Sequence, residues 1–259
     1  MNTPKQIAEF FSDLGVTKTE TPLRKILLLA ILAGAYIALA GVGATIAGAV
    51  VNKFAGACVF PAGLAMVVIA GSELFTGDNL MIVSLLDKRI TLGKMLAVLI
   101  VVYIGNFIGA FLVAALAGLG GALGSVQEAV VSAAVNKAAM GFGSAFVRGI
   151  LCNLLVCVAV WMAAAAKEPA GKILGVFFPV MLFVLCGYEH CVANMYYLPA
   201  GILTAARYGV AAEGLGWGSA IFGNLIPATL GNMVGGMGVG AVYWLVYLRK
   251  QAVLSGRAS

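Results

Sequence analysis

Long apolar stretches alternate with short polar interruptions along nearly the whole chain, and six such stretches can be marked. They run from Ile26 to Val51, Ala57 to Leu86, Met95 to Leu119, Phe142 to Ala166, Ile173 to Leu203, and Trp217 to Leu248. Each is long enough to cross the roughly 30 Å hydrocarbon layer of a bilayer as a helix. Two of them are broken by polar residues. The second is interrupted at Gly71-Ser72-Glu73-Leu74-Phe75-Thr76-Gly77-Asp78-Asn79, the fifth at Gly187-Tyr188-Glu189-His190. Ahead of the first stretch, Ile7, Phe10, Phe11 and Leu14 fall at helical spacing in an otherwise polar segment, which predicts an amphipathic helix. The pattern divides the chain into an N-terminal segment (1–22), a six-helix membrane domain (23–250) and a short tail (251–259).

Composition agrees with the pattern. Hydrophobic residues make up 62% of the 259 positions and charged residues only 10%, too few to cover a soluble surface. No cleavable signal peptide is read. The net charge of +6 comes from residues flanking the apolar runs, with no basic patch and no nucleic-acid motif, so a nucleic-acid partner is not expected. Twelve of the sixteen Lys and Arg residues fall on one side if both termini are cytoplasmic, against Lys53, Lys137, Arg207 and Arg148. That bias predicts cytoplasmic termini in a multi-pass protein of the inner (plasma) membrane. Five cysteines without a CxxC pair read as buried thiols, and no metal or cofactor site is read.

The two broken segments resemble each other. Phe60-Pro61 pairs with Phe178-Pro179, Gly71-Ser72-Glu73 with Gly187-Tyr188-Glu189, and Gly105-Asn106 with Gly231-Asn232. A three-helix unit appearing twice must insert the second time upside down, giving an inverted 3+3 repeat. Paired broken helices in such a repeat point to a substrate site. Backbone freed at a break in lipid must be buried in protein or line a polar cavity, and a half-helix starting there suits an anion.

His190 is the only histidine, and its place at a mid-membrane break favours a transport role over a structural one. Thr76, read as its counterpart across the pseudo-twofold, offers a hydroxyl. Glu73 and Glu189 are read as bracing the loops rather than meeting an anion, which their charge would repel. Lys137 is either an interfacial lysine or a source of positive potential at an outer vestibule. Phe60, Leu64, Leu74, Phe75 and Phe183 are either packing residues or hydrophobic constrictions. No HExxH or GxGD motif is present, which argues against an intramembrane enzyme. An aquaporin-like channel for water or small neutral solutes is the alternative, although no Asn-Pro occurs.

The motifs Gly71-Ser72-Glu73-Leu74-Phe75-Thr76, Gly187 to Met195, Leu151 to Cys157, and Asn224-Leu225-Ile226-Pro227 with Gly231-Asn232 resemble the formate/nitrite transporter family over essentially the whole chain. The resemblance implies an all-α, aquaporin-like protomer with six transmembrane helices, assembled as a homopentamer with one anion path per protomer. It implies that Thr76 and His190 face the path between two slits, the inner of Phe60, Leu64, Leu74 and Phe183, the outer of Phe75 and Val156. It also matches Lys137 to a vestibule lysine, and Asn153 and Asn232 to polar positions along the path. The expected substrate is a small monovalent anion of a weak acid (formate, nitrite or hydrosulfide), with proton coupling through the histidine. Asp78 and Arg148 depart from the family pattern.

Overall fold

The computed structural model describes residues 1–249; the proposed tail 251–259 lies outside the described residues. Every regular element among them is helical. Helix α1 spans Pro4–Glu20 and is started by a capping box: the Gln6 N–H donates to the Thr3 hydroxyl at 3.4 Å, and the Thr3 N–H donates back to Gln6 Oε1 at 2.8 Å. Its face carrying Ile7, Phe11 and Gly15 is buried, and Phe11 stacks on Trp161 with ring centres 5.2 Å apart.

Helix α2 (Leu23–Val50) is followed by α3 (Lys53–Val59) and α4 (Pro61–Ala70), which meet at Phe60-Pro61. Pro61 lacks an N–H and so falls naturally at the first position of the new helix. The chain is non-helical from Ser72 to Leu74, then resumes in α5 (Phe75–Asp78), a tight turn at Asn79–Met81, and α6 (Ile82–Leu86). Helix α7 (Leu92–Leu119) leads through a turn at Gly124–Val126 to α8 (Gln127–Ala138). Helix α9 (Phe142–Ala165) and α10 (Pro169–Leu185) precede the second interruption, after which α11 (Cys191–Tyr208) begins. A widened turn at Ser219–Leu225 runs into α12 (Ile226–Tyr247).

Among the described residues, five stretches are long and apolar enough to cross a membrane: Leu23–Val50, Lys53–Ala70, Leu92–Leu119, Phe142–Ala165 and Ser219–Tyr247. Phe75–Leu86 and Pro169–Leu185 are shorter apolar helices, because the interruptions divide what the sequence presents as continuous runs. Gly71 and Gly187 end the helices before the interruptions at φ of 75° and 69°, a left-handed conformation that a side chain would strain.

Two helix pairs are pressed together at glycine. A Cβ on Gly109 of α7 would sit 1.9 Å from the Ile31 carbonyl oxygen of α2, and one on Gly235 of α12 would sit 2.2 Å from that of Ile150 on α9. Without a hydrophobic drive between helices in lipid, such close approach supplies the packing. Within the interruptions Leu74, Phe75, Thr76, Glu189 and His190 are buried, whereas Gly71 is exposed and Ser72, Glu73, Gly187 and Tyr188 are partly so.

Candidate functional site

The two interruptions are held by the same pattern of bonds. Before α5, Asn106 Oδ1 accepts the Phe75 N–H at 2.9 Å, while its amide donates to the Ala30 and Glu73 carbonyls at 2.8 and 2.9 Å. Before α11, Asn232 Oδ1 accepts the Cys191 N–H at 2.9 Å, and its amide donates to the Gly149 and Glu189 carbonyls at 2.8 Å each. The Glu73 N–H reaches the Leu29 carbonyl at 3.4 Å and the Glu189 N–H that of Arg148 at 3.3 Å. Each asparagine thus satisfies backbone groups that a break in a membrane helix leaves open.

Thr76 and His190 meet where the two segments cross. Thr76 Oγ1 lies 3.0 Å from His190 Nε2, and both residues are buried. His190 Nδ1 accepts the Ala193 N–H at 3.0 Å, capping α11. A ring nitrogen that accepts carries no proton, so in the neutral ring the proton sits on Nε2 and is donated to the Thr76 oxygen. The matched bonds pair Phe75 with Cys191, which puts His190 in register with Leu74. Thr76 therefore faces His190 without being its equivalent by position. The Thr76 carbonyl takes bonds from the Asn153 amide at 3.1 Å and the Cys157 thiol at 3.4 Å, and Asn153 also donates to the Asn232 carbonyl at 2.7 Å. Asn153 thereby ties the first interruption to α12.

Aromatic and aliphatic side chains enclose this polar pair. The Phe183 ring stacks on the His190 ring with centres 5.7 Å apart, and Phe60 meets Phe183 edge-on at 5.8 Å. Phe75 packs edge-on against Tyr103 at 5.0 Å. Leu64, Leu74 and Val156 are buried as well.

A charged cluster stands at each end. On the α8 side, Lys137 Nζ donates to Glu189 Oε1 at 2.9 Å and lies 5.4 Å from the Tyr197 ring centre. Asn194 and Asn224 donate to the other Glu189 oxygen at 2.6 and 2.9 Å, so a carboxylate 2% exposed has every oxygen engaged. On the α1 side, Lys18 pairs with Glu73 and, at 2.9 Å, with Asp78 Oδ1. This cluster borders a cavity of about 360 Å³ lined by Leu64, Leu74, Phe11 and Lys172 among others. α1 is tied down further by Ser12 to Asp87 at 2.7 Å, by Arg89 to Asp13, and by the Ser84 hydroxyl to the Phe11 carbonyl at 2.9 Å.

The residues singled out in sequence therefore converge: Thr76, His190, Asn153 and Asn232 at the centre, Glu73 and Glu189 beside the breaks, Lys137 at one end. Sequence reasoning missed Lys18, which it counted only as a cytoplasmic charge, and Asn106 as a bracing residue. A signal for Lys18 was available. Lys18 and Lys137 are 119 positions apart, the spacing that also separates Leu29 from Arg148 and Ala30 from Gly149.

Comparison with known proteins fits this arrangement. The profile of the Formate/nitrite transporter family matches residues 5–245. An uncharacterized transporter of Bacillus subtilis, YrhG, is 39% identical over 95% of this chain and 94% of its own. A probable formate transporter of Methanothermobacter thermautotrophicus is 36% identical over 96% and 98%. Among solved structures, a pentameric formate channel with formate bound matches with a TM-score of 0.78 at 34% identity, covering 88% of this chain and 98% of the other. These relatives are channels and transporters rather than enzymes.

Proposed function

The chain belongs to the formate/nitrite transporter family, and on that premise we propose that it conducts small monovalent anions of weak acids, formate, nitrite or hydrosulfide, through each protomer. The observation that carries the reading is the buried Thr76–His190 hydrogen bond where two interrupted segments cross, with Phe183 stacked on the imidazole.

The path runs between the two charged clusters. Lys137 at one end and Lys18 at the other draw an anion to apolar slits, the inner built from Phe60, Leu64, Leu74 and Phe183, the outer from Phe75 and Val156. A bare anion in such a slit suffers a large desolvation penalty that its neutral acid escapes. The anion is therefore protonated on the way in, and His190 with Thr76 gives the acid hydrogen-bond partners at the centre. Glu73 and Glu189 hold their lysines and do not meet the substrate.

The architecture proposed is six spans in an inverted repeat, the second and fifth broken. The matched bonds of Asn106 and Asn232 support it, and so does the 119-residue spacing that makes Lys18 the counterpart of Lys137. Each repeat then comprises a preceding amphipathic helix and three spans, so that 1–22 caps the inner mouth of the channel domain 23–250. Both termini are placed in the cytoplasm and the protein in the plasma membrane on the charge bias. A homopentamer is proposed from the likeness to the pentameric formate channel.

Stopped-flow measurements on proteoliposomes, with formate, nitrite, hydrosulfide, water and glycerol in turn, test the reading. Saturable passage of the weak-acid anions supports it. Passage of water and glycerol alone would reassign the protein as a neutral-solute channel.

A further inference from the structure

The two charged clusters are alike in position and unlike in charge. The 116-residue spacing that relates Glu73 to Glu189 relates Asp78 to Asn194. On the α8 side the lysine, carboxylate and amide sum to zero, with the Asn194 amide donating to Glu189. On the α1 side a second carboxyl stands where the amide would be. If both carboxyls there were ionised, the one ammonium paired with them, that of Lys18, would face two negative charges in a site where Asp78 is 5% exposed and Lys18 and Glu73 are half-buried, with Lys172 lining the cavity beyond. Lys18 takes Asp78 Oδ1, whereas Asp78 Oδ2 is buried and has no partner. Asn194 Oδ1 in the other cluster is buried and bare as well, so the difference lies in the second atom: the Asn194 amide nitrogen donates to Glu189, and a hydroxyl at Asp78 Oδ2 is its isosteric match.

We propose that Asp78 holds an exchangeable proton on Oδ2 and donates it to an anion entering the cavity from the α1 side. The inference rests on the reading above, that anions cross this protein as their neutral acids. The step balances as Asp78 carboxylic acid plus anion giving Asp78 carboxylate plus neutral acid, and water at the α1 mouth later returns the proton. The Asp78 O–H bond breaks as the O–H (or S–H) bond of the acid forms. Lys18 stays beside the new carboxylate and holds its charge.

The other groups facing the site allow this. Lys18 comes from α1, Glu73 from the same interruption, Lys172 from α10 across the cavity, and the Cys157 thiol from α9 is near enough to feel the Asp78 charge. Helix α4 contributes only Leu64, Val67 and Val68 to the wall. Asp78 is thus the carboxyl whose protonation brings the Lys18–Glu73–Asp78 group to the neutrality of its counterpart, and Asp78 lines the same cavity as Leu64 and Leu74 of the proposed inner slit.

The test compares wild type, Asp78→Asn and Asp78→Glu in proteoliposomes of fixed orientation. Unidirectional formate flux is followed from the α1 side while the pH on that side is varied. Asparagine copies the other cluster and keeps the shape, so folding is expected to survive. Wild type should hold its flux as pH rises, whereas D78N should lose about tenfold per pH unit, as an acid protonated only by bulk water does. D78E should restore the wild-type profile. Infrared spectra should show a buried carboxylic-acid carbonyl band that vanishes in D78N. Identical pH profiles for wild type and D78N, or no such band, would overturn the inference while leaving transport intact. Wild-type protein that passes no weak acid at all overturns the transport reading and the delivery step together.

Discussion

His190 performs two tasks with two nitrogens, and they can be separated. Nδ1 caps α11 by accepting the Ala193 N–H, and Nε2 faces Thr76. A second proton can be placed on Nδ1 only by giving up the cap. Asparagine is among the best N-caps, so His190→Asn keeps the first task and loses all acid–base chemistry. The variant is expected to fold and assemble and to keep proton coupling in liposomes while its formate flux falls, because the imidazole gives the acid a hydrogen bond and not its proton; loss of coupling would show that the imidazole carries the proton instead. Asn106 and Asn232 offer a test of the bracing role. Replacing either by alanine strands one backbone N–H and two carbonyls, about 1–3 kcal/mol for each group that finds no new partner. Both variants should melt markedly lower in detergent, and by similar amounts; if only one did, the equivalence of the two interruptions would fail.

At the scale of elements, α1 is held to the channel by its apolar face of Ile7, Ala8 and Phe11, by bonds of Ser12, Asp13 and the Phe11 carbonyl, and by the ion pairs of Lys18. Burial would lower the pKa of this lysine, but with Asp78 and Glu73 ionised their charges outweigh it and hold the value above the ordinary 10.5. A raised lysine pKa stabilises docking fully below that ordinary value, and the gain is lost only as pH climbs through the raised one. Acidification therefore cannot release α1 through Lys18, and a response to falling pH would have to come from the carboxyls. Lys18→Met should leave Glu73 and Asp78 without their cation and loosen α1. Hydrogen exchange of the α1 amides is expected to rise severalfold, and unchanged protection would place the docking energy in the Phe11–Trp161 contact instead. Most of these elements could be read from sequence, since apolar length and the polar interruptions mark spans and breaks directly. The docking of α1 could not. Its amphipathic face predicts a helix that covers something apolar, but Ser12, Asp13 and Lys18 find partners 55 to 77 positions away, and only tertiary structure brings these together. The fifth run likewise extends to Tyr208 rather than ending near Leu203, because Gly209 rather than loss of hydrophobicity stops α11.

At the scale of the whole molecule, the sequence conveyed the class of site better than its symmetry. The match of Gly71-Ser72-Glu73 with Gly187-Tyr188-Glu189 already carries the register that pairs Phe75 with Cys191, but the pairing of Lys18 with Lys137 is harder to read, because the spacing between copies changes from 119 to 116 to 126 along the chain. What neither repeat explains is the outer surface. On α7, Leu96, Ile100, Ile104, Ile108, Leu112 and Leu116 form an exposed stripe with a four-residue step, and Leu230, Val234, Val242, Leu245 and Val246 are exposed on α12. Lipid can cover such faces, and so can neighbouring protomers, which is where the proposed pentamer makes a distinct claim. The anion path proposed here is enclosed by one chain's own helices, so assembly is not required to build it. Mild cross-linking of the purified protein should give a ladder that stops at five copies. A charged residue introduced at a stripe position that faces a neighbour, such as Ile104→Arg, should shorten the ladder, whereas at a lipid-facing position it should hinder insertion instead. Because each path is complete within its protomer, single-protomer species that still insert are expected to retain formate flux per chain to within about twofold, a change of only ~0.4 kcal/mol in the barrier. Loss of flux on dissociation would mean that the neighbour shapes the path after all, through the exposed faces of α7 or α12.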